Sequence, residues 1–198
     1  ERKILSIGFY GKEDFYFLKE LVNTLLDRLG IKDTEYVREE NNPSFHPGRT
    51  ANLLINGRNI GTLGEVHIDV LENYDMKKRA YVAQIDCHEL VKLANLERKY
   101  KALPKYPAVL RDLALVVKED ILVGEMEKII SKHGKGIIES IELFDIYRGE
   151  PIPEGMKSVA FSITFRSHDR TLRDEEINGI LEAIIKDLED SLGAKLRA

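Results

Sequence analysis

Residues with the chemistry to contact an unstacked RNA base recur at alternate positions of the short strands predicted in the second half of the sequence. Because the side chains of a strand alternate between two faces, these residues share one open face of the predicted sheet. There, an aromatic ring can stack on a base, a carboxylate can accept from guanine N1 and N2, and an arginine can meet a phosphate. The open face is predicted to carry Asp145, Tyr147, Ser158, Ser162, Thr164, Arg166 and Arg197. From alternation alone, an ordinary solvated sheet face is the more common explanation.

Histidines in the first half lie among acidic residues and the single cysteine, a composition that invites a metal-site interpretation. The residues concerned are His46, His67, His88, Glu65, Asp86, Cys87 and Glu89. No pair of these histidines has the i, i+4 spacing of a helical zinc motif, so structural or surface roles are favoured. We therefore predict no metal ligands.

No set of residues in the sequence has the pattern of a catalytic site. Arg49 ends the segment His46-Pro47-Gly48-Arg49, in which an arginine could bind phosphate, but a packing or turn role is favoured. The acidic run 174–176 falls in the first turn of a predicted helix, where carboxylates favour the positive end of the helix dipole. Ser/His/Asp, Cys/His and carboxylate-pair arrangements are missing from the sequence pattern, so no catalytic residue is predicted.

The elements of the second half follow the order βαββαβ, which is typical of a ferredoxin-like fold. Strands are predicted over 112–117, 138–147, 157–166 and 194–197, and helices from about 123 to 133 and after a capping box at 171–174. Within strand 138–147, simple alternation places Phe144 and Ile146 on the helix face. The same alternation places Leu143, Asp145 and Tyr147 on the open face.

The first half reads as an antiparallel α+β module. An amphipathic helix is predicted from Phe15 until Gly30 stops it, and Asn56-Gly57 between two β-rich runs predicts a hairpin. Further strands are predicted over 4–9, 34–38 and 79–86, with a loop over 41–48 and a short helix over 88–95.

The amino-acid composition limits the classes of protein to which this chain can belong. The 198 residues are 43% hydrophobic and 32% charged with a net charge of −4, so no strong positive field exists to bind polyanions or membranes nonspecifically. One cysteine allows no internal disulfide, which favours a reducing cytoplasm. No apolar run is long enough to span a membrane, and the chain lacks an initiator Met, which suggests a fragment of a longer protein. The proline-bearing stretch 96–107 predicts two domains, residues 1–100 and 103–198.

Long motifs in both halves are similar to those of one known family. In the second half these are YPAVLRDLALVV (106–117), LFDIYRGEPIPEGMKSVAFSITFRSHDRTLRDEEIN (143–178) and LGAKLR (192–197). In the first half it is FHPGRTANLLINGRNIGTLGEVH (45–67). The chain resembles the C-terminal region of bacterial phenylalanine–tRNA ligase β subunits, which belong to the class II aminoacyl-tRNA synthetases.

The resemblance implies a function and a set of site residues. Residues 103–198 would form a ferredoxin-fold anticodon-binding domain, and residues 1–100 would be part of a noncatalytic class II synthetase-like module. The family's anticodon contacts fall by motif position on Ala114 of RDLA, Asp145 and Tyr147 of FD-x-Y, Ser158 of PEG-x-KS and Arg197 of the terminal LR pair. All five lie on the face that alternation leaves open.

The resemblance also implies partners. An α subunit in an (αβ)₂ enzyme would use ATP and Mg²⁺ to activate phenylalanine, and this chain would bind the anticodon of tRNA(Phe) with no cofactor or catalytic residue of its own. Residues 1–100 would pack on further parts of the subunit and expose an apolar patch when alone. Alternatives left open are a structural assembly segment, a regulatory ferredoxin-like module without RNA binding, and a stand-alone enzyme.

Overall fold

The computed structural model describes residues 1–97, 100, 102–134 and 136–197, and the chain divides into two compact units, Glu1–Tyr100 and Lys101–Ala198. The stretch 96–107 predicted to join two domains includes Arg98, Lys99 and Lys101, which lie outside the described residues. Each unit has its own antiparallel sheet and its own apolar core. The predicted α+β class is therefore confirmed.

The first unit is a five-stranded sheet with a helix packed on one face. Its elements are β1 (Ile4–Tyr10), α1 (Phe15–Arg28), β2 (Thr34–Arg38), β3 (Phe45–Ile55), β4 (Arg58–Val66), α2 (Ile68–Asn73), β5 (Ala80–Asp86) and α3 (Cys87–Leu93). The strands lie in the order β1-β5-β4-β3-β2, and every neighbouring pair is antiparallel.

Helix α1 forms where the 3.6-residue apolar period predicts it. Asp14 caps its first turn by accepting a hydrogen bond from the backbone N–H of Phe17 at 3.0 Å. Leu18, Val22 and Leu26 are buried against the sheet. Their spacing of four residues keeps them on one stripe of the helix, which is why this stripe builds the core.

The hairpin between β3 and β4 turns at Asn56 and Gly57, as predicted. Ile55 pairs with Arg58, and both loop residues have positive φ, 51° and 74°, which a type I′ turn requires. The preceding strand differs from expectation, because β3 begins at Phe45 and so takes up half of the predicted loop 41–48. The short helix α2 was not predicted.

The second unit has the ferredoxin-like order predicted from the sequence. Its elements are β6 (Val109–Lys118), α4 (Val123–His133), β7 (Ile138–Tyr147), β8 (Met156–Phe165), α5 (Asp174–Leu192) and β9 (Lys195–Leu196). The strands lie in the order β7-β8-β6-β9. Apolar residues of both helices share one core with inward residues of the strands, so the opposite face of the sheet is left open.

A β-bulge in β7 makes its side-chain alternation differ from the one predicted. Leu143 lies opposite Phe161 and Asp145 lies opposite Ala160, so Phe144 is an extra residue between two ladder pairs. Leu143 therefore belongs to the helix face, and its predicted place on the open face was wrong. The two residues that matter most for the site, Asp145 and Tyr147, keep their predicted face.

The start of α5 also differs from the prediction. Its N-cap is Arg173, which makes no side-chain cap hydrogen bond, so the capping box predicted at 171–174 does not form. Instead, Arg170 holds both carboxylate oxygens of Glu176, at 2.7 and 2.6 Å. This bidentate ion pair lowers the pKa of Glu176 and holds its carboxylate in the first turn of the helix.

Candidate nucleic-acid interface

The ladder of the second unit places the predicted site residues in two adjacent rows across the open face. In antiparallel pairs, residues directly opposite each other project from the same face. One row joins Tyr147 to Ser158, Val116 and Lys195, and the next joins Asp145 to Ala160 and Ala114. The backbone N–H of Arg197 donates to the carbonyl of Ala114 at 2.9 Å, which extends the second row by one strand. The five predicted residues are thus brought together.

Tyr147 presents its ring at the end of β7. The side chain is 39% exposed, and its hydroxyl donates to the carbonyl oxygen of Glu150 at 2.7 Å. The turn that carries Glu150 is itself tied down, because the Arg148 guanidinium pairs with Glu119 at 2.8 Å. The ring is therefore fixed at its tip while a face remains available for stacking.

Arg197 links three of the other residues. Its guanidinium carbon lies 5.5 Å from the centre of the Tyr147 ring, within the range of a cation–π contact. Its Nη1 donates to the hydroxyl oxygen of Ser158 at 3.3 Å. Together with the backbone bond to Ala114, these contacts draw the last residues of the chain across the open face.

Ser158 is the most deeply placed member of the set. It is 2% exposed, whereas the sequence pattern predicts an outward serine on a solvated face. Its hydroxyl faces the guanidinium of Arg197. Ser158 thus lies below the surface and does not present its hydroxyl to solvent.

Two alanines, Ala114 and Ala160, form a shallow part of the open face between Asp145 and Arg197, which is called the alanine floor below. Ala160 and Ala114 lie in the same row, and neither side chain rises above a single methyl group. Asp145 is exposed at one end of this floor, roughly 10 Å of backbone spacing from Ala114, since neighbouring strands lie about 4.8 Å apart. The floor therefore leaves room for a planar ring beside Tyr147. Sequence reasoning had not singled out Ala160, although its parity matches that of Ser158.

Farther along the sheet, the charged side chain on the open face contacts other residues of the unit. Arg166 pairs with Glu139 at 2.8 Å and donates to the carbonyl of Tyr106 at 2.9 Å. Its guanidinium therefore braces the strand ends. Ser162 and Thr164 lie between this arginine and the alanine floor.

The carboxyls with clear pKa shifts in this unit lie outside the two rows. The hydrogen bond from His133 lowers the pKa of Asp187 on α5, and the hydrogen bond from Ser167 lowers the pKa of Asp169 in the segment before α5. These pairs stabilise the helix side of the unit.

The first unit uses its candidate residues to hold its own loops. The Nδ1 atom of His46 accepts from the backbone N–H of Gly48, and the Nδ1 atom of His67 accepts from that of Asp69. Arg49 pairs with the buried carboxylate of Glu65 at 2.8 Å. Turn and packing roles therefore account for these residues.

Across the part of the chain that the structure describes, no cluster of three His, Cys, Asp or Glu side chains could hold a metal ion. Over the same residues, no helix has the length and apolar character needed to cross a bilayer.

A ferredoxin-like sheet with an exposed ring, a carboxylate and an alanine floor on its open face has the architecture of the class of sheet domains that bind single-stranded RNA. The comparison with known families agrees with this class. Residues 104–197 match the family described as the ferredoxin-fold anticodon binding domain. Residues 1–87 match the family described as the phenylalanyl tRNA synthetase beta chain CLM domain.

Individual relatives give the same result over the whole chain. The chain is 48% identical to the phenylalanine–tRNA ligase beta subunit of Clostridium acetobutylicum and 49% identical to that of Clostridium tetani, in both cases over 100% of this chain and 25% of the relative. Identity to the Bacillus subtilis subunit is 40%, over 99% of this chain and 24% of the relative. The chain belongs to the phenylalanine–tRNA ligase beta subunit family, and it spans about a quarter of the length of the curated relatives it matches.

Proposed function

We propose that this chain binds the anticodon of tRNA(Phe) through the open face of its second unit, as part of a phenylalanine–tRNA ligase β subunit. The observation that carries the proposal is the Tyr147 ring, exposed beside the alanine floor with Asp145 in the neighbouring row. An anticodon base would stack on the ring, and a guanine would donate its N1 and N2 hydrogens to the carboxylate. Ala114, Ser158 and Arg197 complete the proposed site.

The domain assignment and the division of labour are part of the same proposal. Residues 103–198 would be the anticodon-binding domain, and residues 1–100 a noncatalytic part of a synthetase-like module. ATP and Mg²⁺ would be used at the α subunit of an (αβ)₂ enzyme, without a cofactor or metal site in this chain. The pairing of Arg49 with Glu65 supports this view, because the arginine that could have bound a phosphate already has its charge balanced.

A contribution to subunit assembly is the second part of the proposal. The first unit exposes large apolar side chains, among them Tyr16, Phe17 and Leu21 on α1. Exposed apolar side chains grouped on one helix can mark a surface that contacts another protein, so they favour contact with another part of the enzyme. A cytoplasmic location is also proposed, and the single free cysteine, Cys87, agrees with a reducing compartment.

Removing the Tyr147 ring tests the anticodon proposal. We expect Tyr147→Ala to weaken binding of a tRNA(Phe) anticodon stem-loop by about 1–3 kcal/mol, the usual loss when one aromatic platform is removed. Titration of the full chain with fluorescently labelled stem-loop would measure it.

The controls separate stacking from general damage. Tyr147→Phe keeps the ring and should retain most of the affinity, although it loses the bond to Glu150. Tyr74→Ala removes a tyrosine of the first unit that is more exposed than Tyr147, and it should leave binding unchanged. Equal binding by wild type and Tyr147→Ala, or equal binding of a stem-loop with swapped anticodon bases, would reject the proposed site.

A further inference from the structure

We propose that Arg197 is a positioning residue: held on Ser158, it fixes the Tyr147 ring as a stacking platform and does not serve as a phosphate contact. This inference rests on the proposed function, since it assigns a role within the same site. It differs from the prediction made from the sequence, in which an arginine on this face meets the RNA backbone.

Arg197 makes three contacts with other residues of the open face. Its backbone N–H is bonded to Ala114, its Nη1 to Ser158, and its guanidinium lies 5.5 Å from the Tyr147 ring centre. A guanidinium with a hydrogen bond and a ring contact is held in one orientation, because moving it breaks both interactions. Arg197 is thus part of the surface before RNA arrives.

The burial of Ser158 makes release of Arg197 costly. With 2% of the residue exposed, the hydroxyl has little access to water, and it accepts a hydrogen bond from the Arg197 guanidinium. A buried hydroxyl that loses its partner is destabilising. If Arg197 swung out to a phosphate, Ser158 would lose that hydrogen bond, so Ser158 acts on RNA binding through Arg197.

Tyr147 is held from two directions as a result. The hydroxyl is fixed by the Glu150 carbonyl at one end, and the ring is flanked by the guanidinium. Restricting the ring before binding lowers the entropy lost when a base stacks on it. Lys195, exposed on the same face at the end of the row through Val116, is better placed to meet a phosphate.

The test compares loss of one positive charge at Arg197 and at Lys195. We would titrate the full-length chain and its Arg197→Gln, Lys195→Gln, Tyr147→Ala and Arg197→Gln/Tyr147→Ala variants with the tRNA(Phe) anticodon stem-loop at several salt concentrations. Arg197→Gln should weaken binding about threefold to tenfold, with the slope of log K against log salt unchanged. Lys195→Gln should reduce that slope by about 0.7, the value for one phosphate contact on single-stranded RNA.

The double variant carries the decisive comparison. A residue that acts through Tyr147 has nothing to position in the Tyr147→Ala background, so adding Arg197→Gln there should change affinity less than twofold. Before RNA is added, NMR signals of the Tyr147 ring should shift in Arg197→Gln and stay in place in Lys195→Gln. Arg197→Lys should recover little, because an ammonium lacks the planar fork.

The outcomes distinguish this inference from the function on which it rests. If Tyr147→Ala weakens binding but Arg197→Gln lowers the salt slope and adds fully to Tyr147→Ala, Arg197 is a phosphate contact and the inference is wrong. If the stem-loop binds wild type and Tyr147→Ala equally, the proposed function fails first. An Arg197→Gln chain whose ring signals match wild type would also overturn the positioning role.

Discussion

At the scale of single residues, Asp145 is the member of the site that can select a base. A carboxylate only accepts hydrogen bonds, and guanine is the base that offers neighbouring N1 and N2 donors. Asp145 is exposed on the open face and lies beside the low alanine floor, so it faces the space a stacked base would occupy. In the proposed site, base recognition by Asp145 would therefore depend on its charge and on its lack of a hydrogen-bond donor.

Asp145→Asn should discriminate between anticodons. The amide places a donor against the guanine N–H groups, so binding of a guanine-containing anticodon should weaken by about 1.5–3 kcal/mol. An adenine-substituted stem-loop should lose less. Glu142→Gln is the matched control, since Glu142 is an exposed carboxylate on β7 opposite Ser162. Equal losses for both stem-loops, or the same loss for Glu142→Gln, would contradict base selection by Asp145.

At the scale of elements, two helices end at glycines of similar conformation and different surroundings. Gly30 after α1 has φ of 68°, and a Cβ built there would lie 2.1 Å from the carbonyl oxygen of Asn95. Gly193 after α5 has φ of 64°, and no atom lies within 4 Å of its Cβ position. Alanine substitutions at these two glycines therefore separate two losses of stability, one from a left-handed alanine and one from a clash with the backbone.

Gly193→Ala should lower the free energy of unfolding of the second unit by about 1–2 kcal/mol, the cost of a left-handed alanine. Gly30→Ala should lower that of the first unit by about 2–4 kcal/mol, because the backbone of Asn95 must also move. Urea unfolding followed by amide signals of each unit would measure both values. A Gly30→Ala chain no less stable than the Gly193→Ala chain would show that the Asn95 segment moves aside at no cost.

Sequence patterns predicted those elements whose own residues determine them. The apolar period of α1 and the Asn56-Gly57 turn are local signals, and both elements form as expected. Helix α2 was missed because its six residues are too few to show a helical period and only Leu71 is buried. The capping box failed because arginines from other positions, such as Arg170, hold the first turn of α5.

In the candidate site too, local sequence patterns predicted only part of the arrangement. Alternation placed Asp145 and Tyr147 on the open face, yet it misplaced Leu143 because a bulge inserts one residue into the ladder. The hydroxyl of Ser158 accepts a hydrogen bond from Arg197, which lies 39 residues away along the chain. A contact of that separation is created by the fold, so no pattern within β8 could have predicted it.

At the scale of the whole molecule, charge restricts how the chain can hold RNA. Residues 103–198 carry 14 basic and 18 acidic side chains, so counterion release contributes little to binding. Several of the basic side chains already form ion pairs within the unit, including Arg148 with Glu119 and Arg166 with Glu139. In the proposed complex, stacking and base contacts would therefore supply most of the affinity, which is why the orientation of one ring would matter.

The paired carboxylates also determine how the chain responds to acid. The hydrogen bond from His133, at 2.8 Å between helices α4 and α5, is the main cause that lowers the pKa of Asp187 below its ordinary 3.8. A carboxyl whose pKa is lower in the folded state stabilises that state at pH values above its unfolded pKa. This stabilisation is lost as the pH falls through the lowered folded value. Stability of the second unit should therefore be retained down to about pH 4 and decline below it.

Asp187→Asn removes that titration while keeping a side chain that can accept from His133. We expect the urea midpoint of the α4 and α5 amide signals to fall less steeply below about pH 4 in this variant than in wild type. Asp190→Asn, at an exposed position of the same helix, removes the same charge and should keep the wild-type acid dependence. Parallel pH profiles for wild type and Asp187→Asn would mean that the His133 pair does not govern acid unfolding. The stability lost in acid would then come from other paired carboxylates of the unit, such as Glu176 with Arg170.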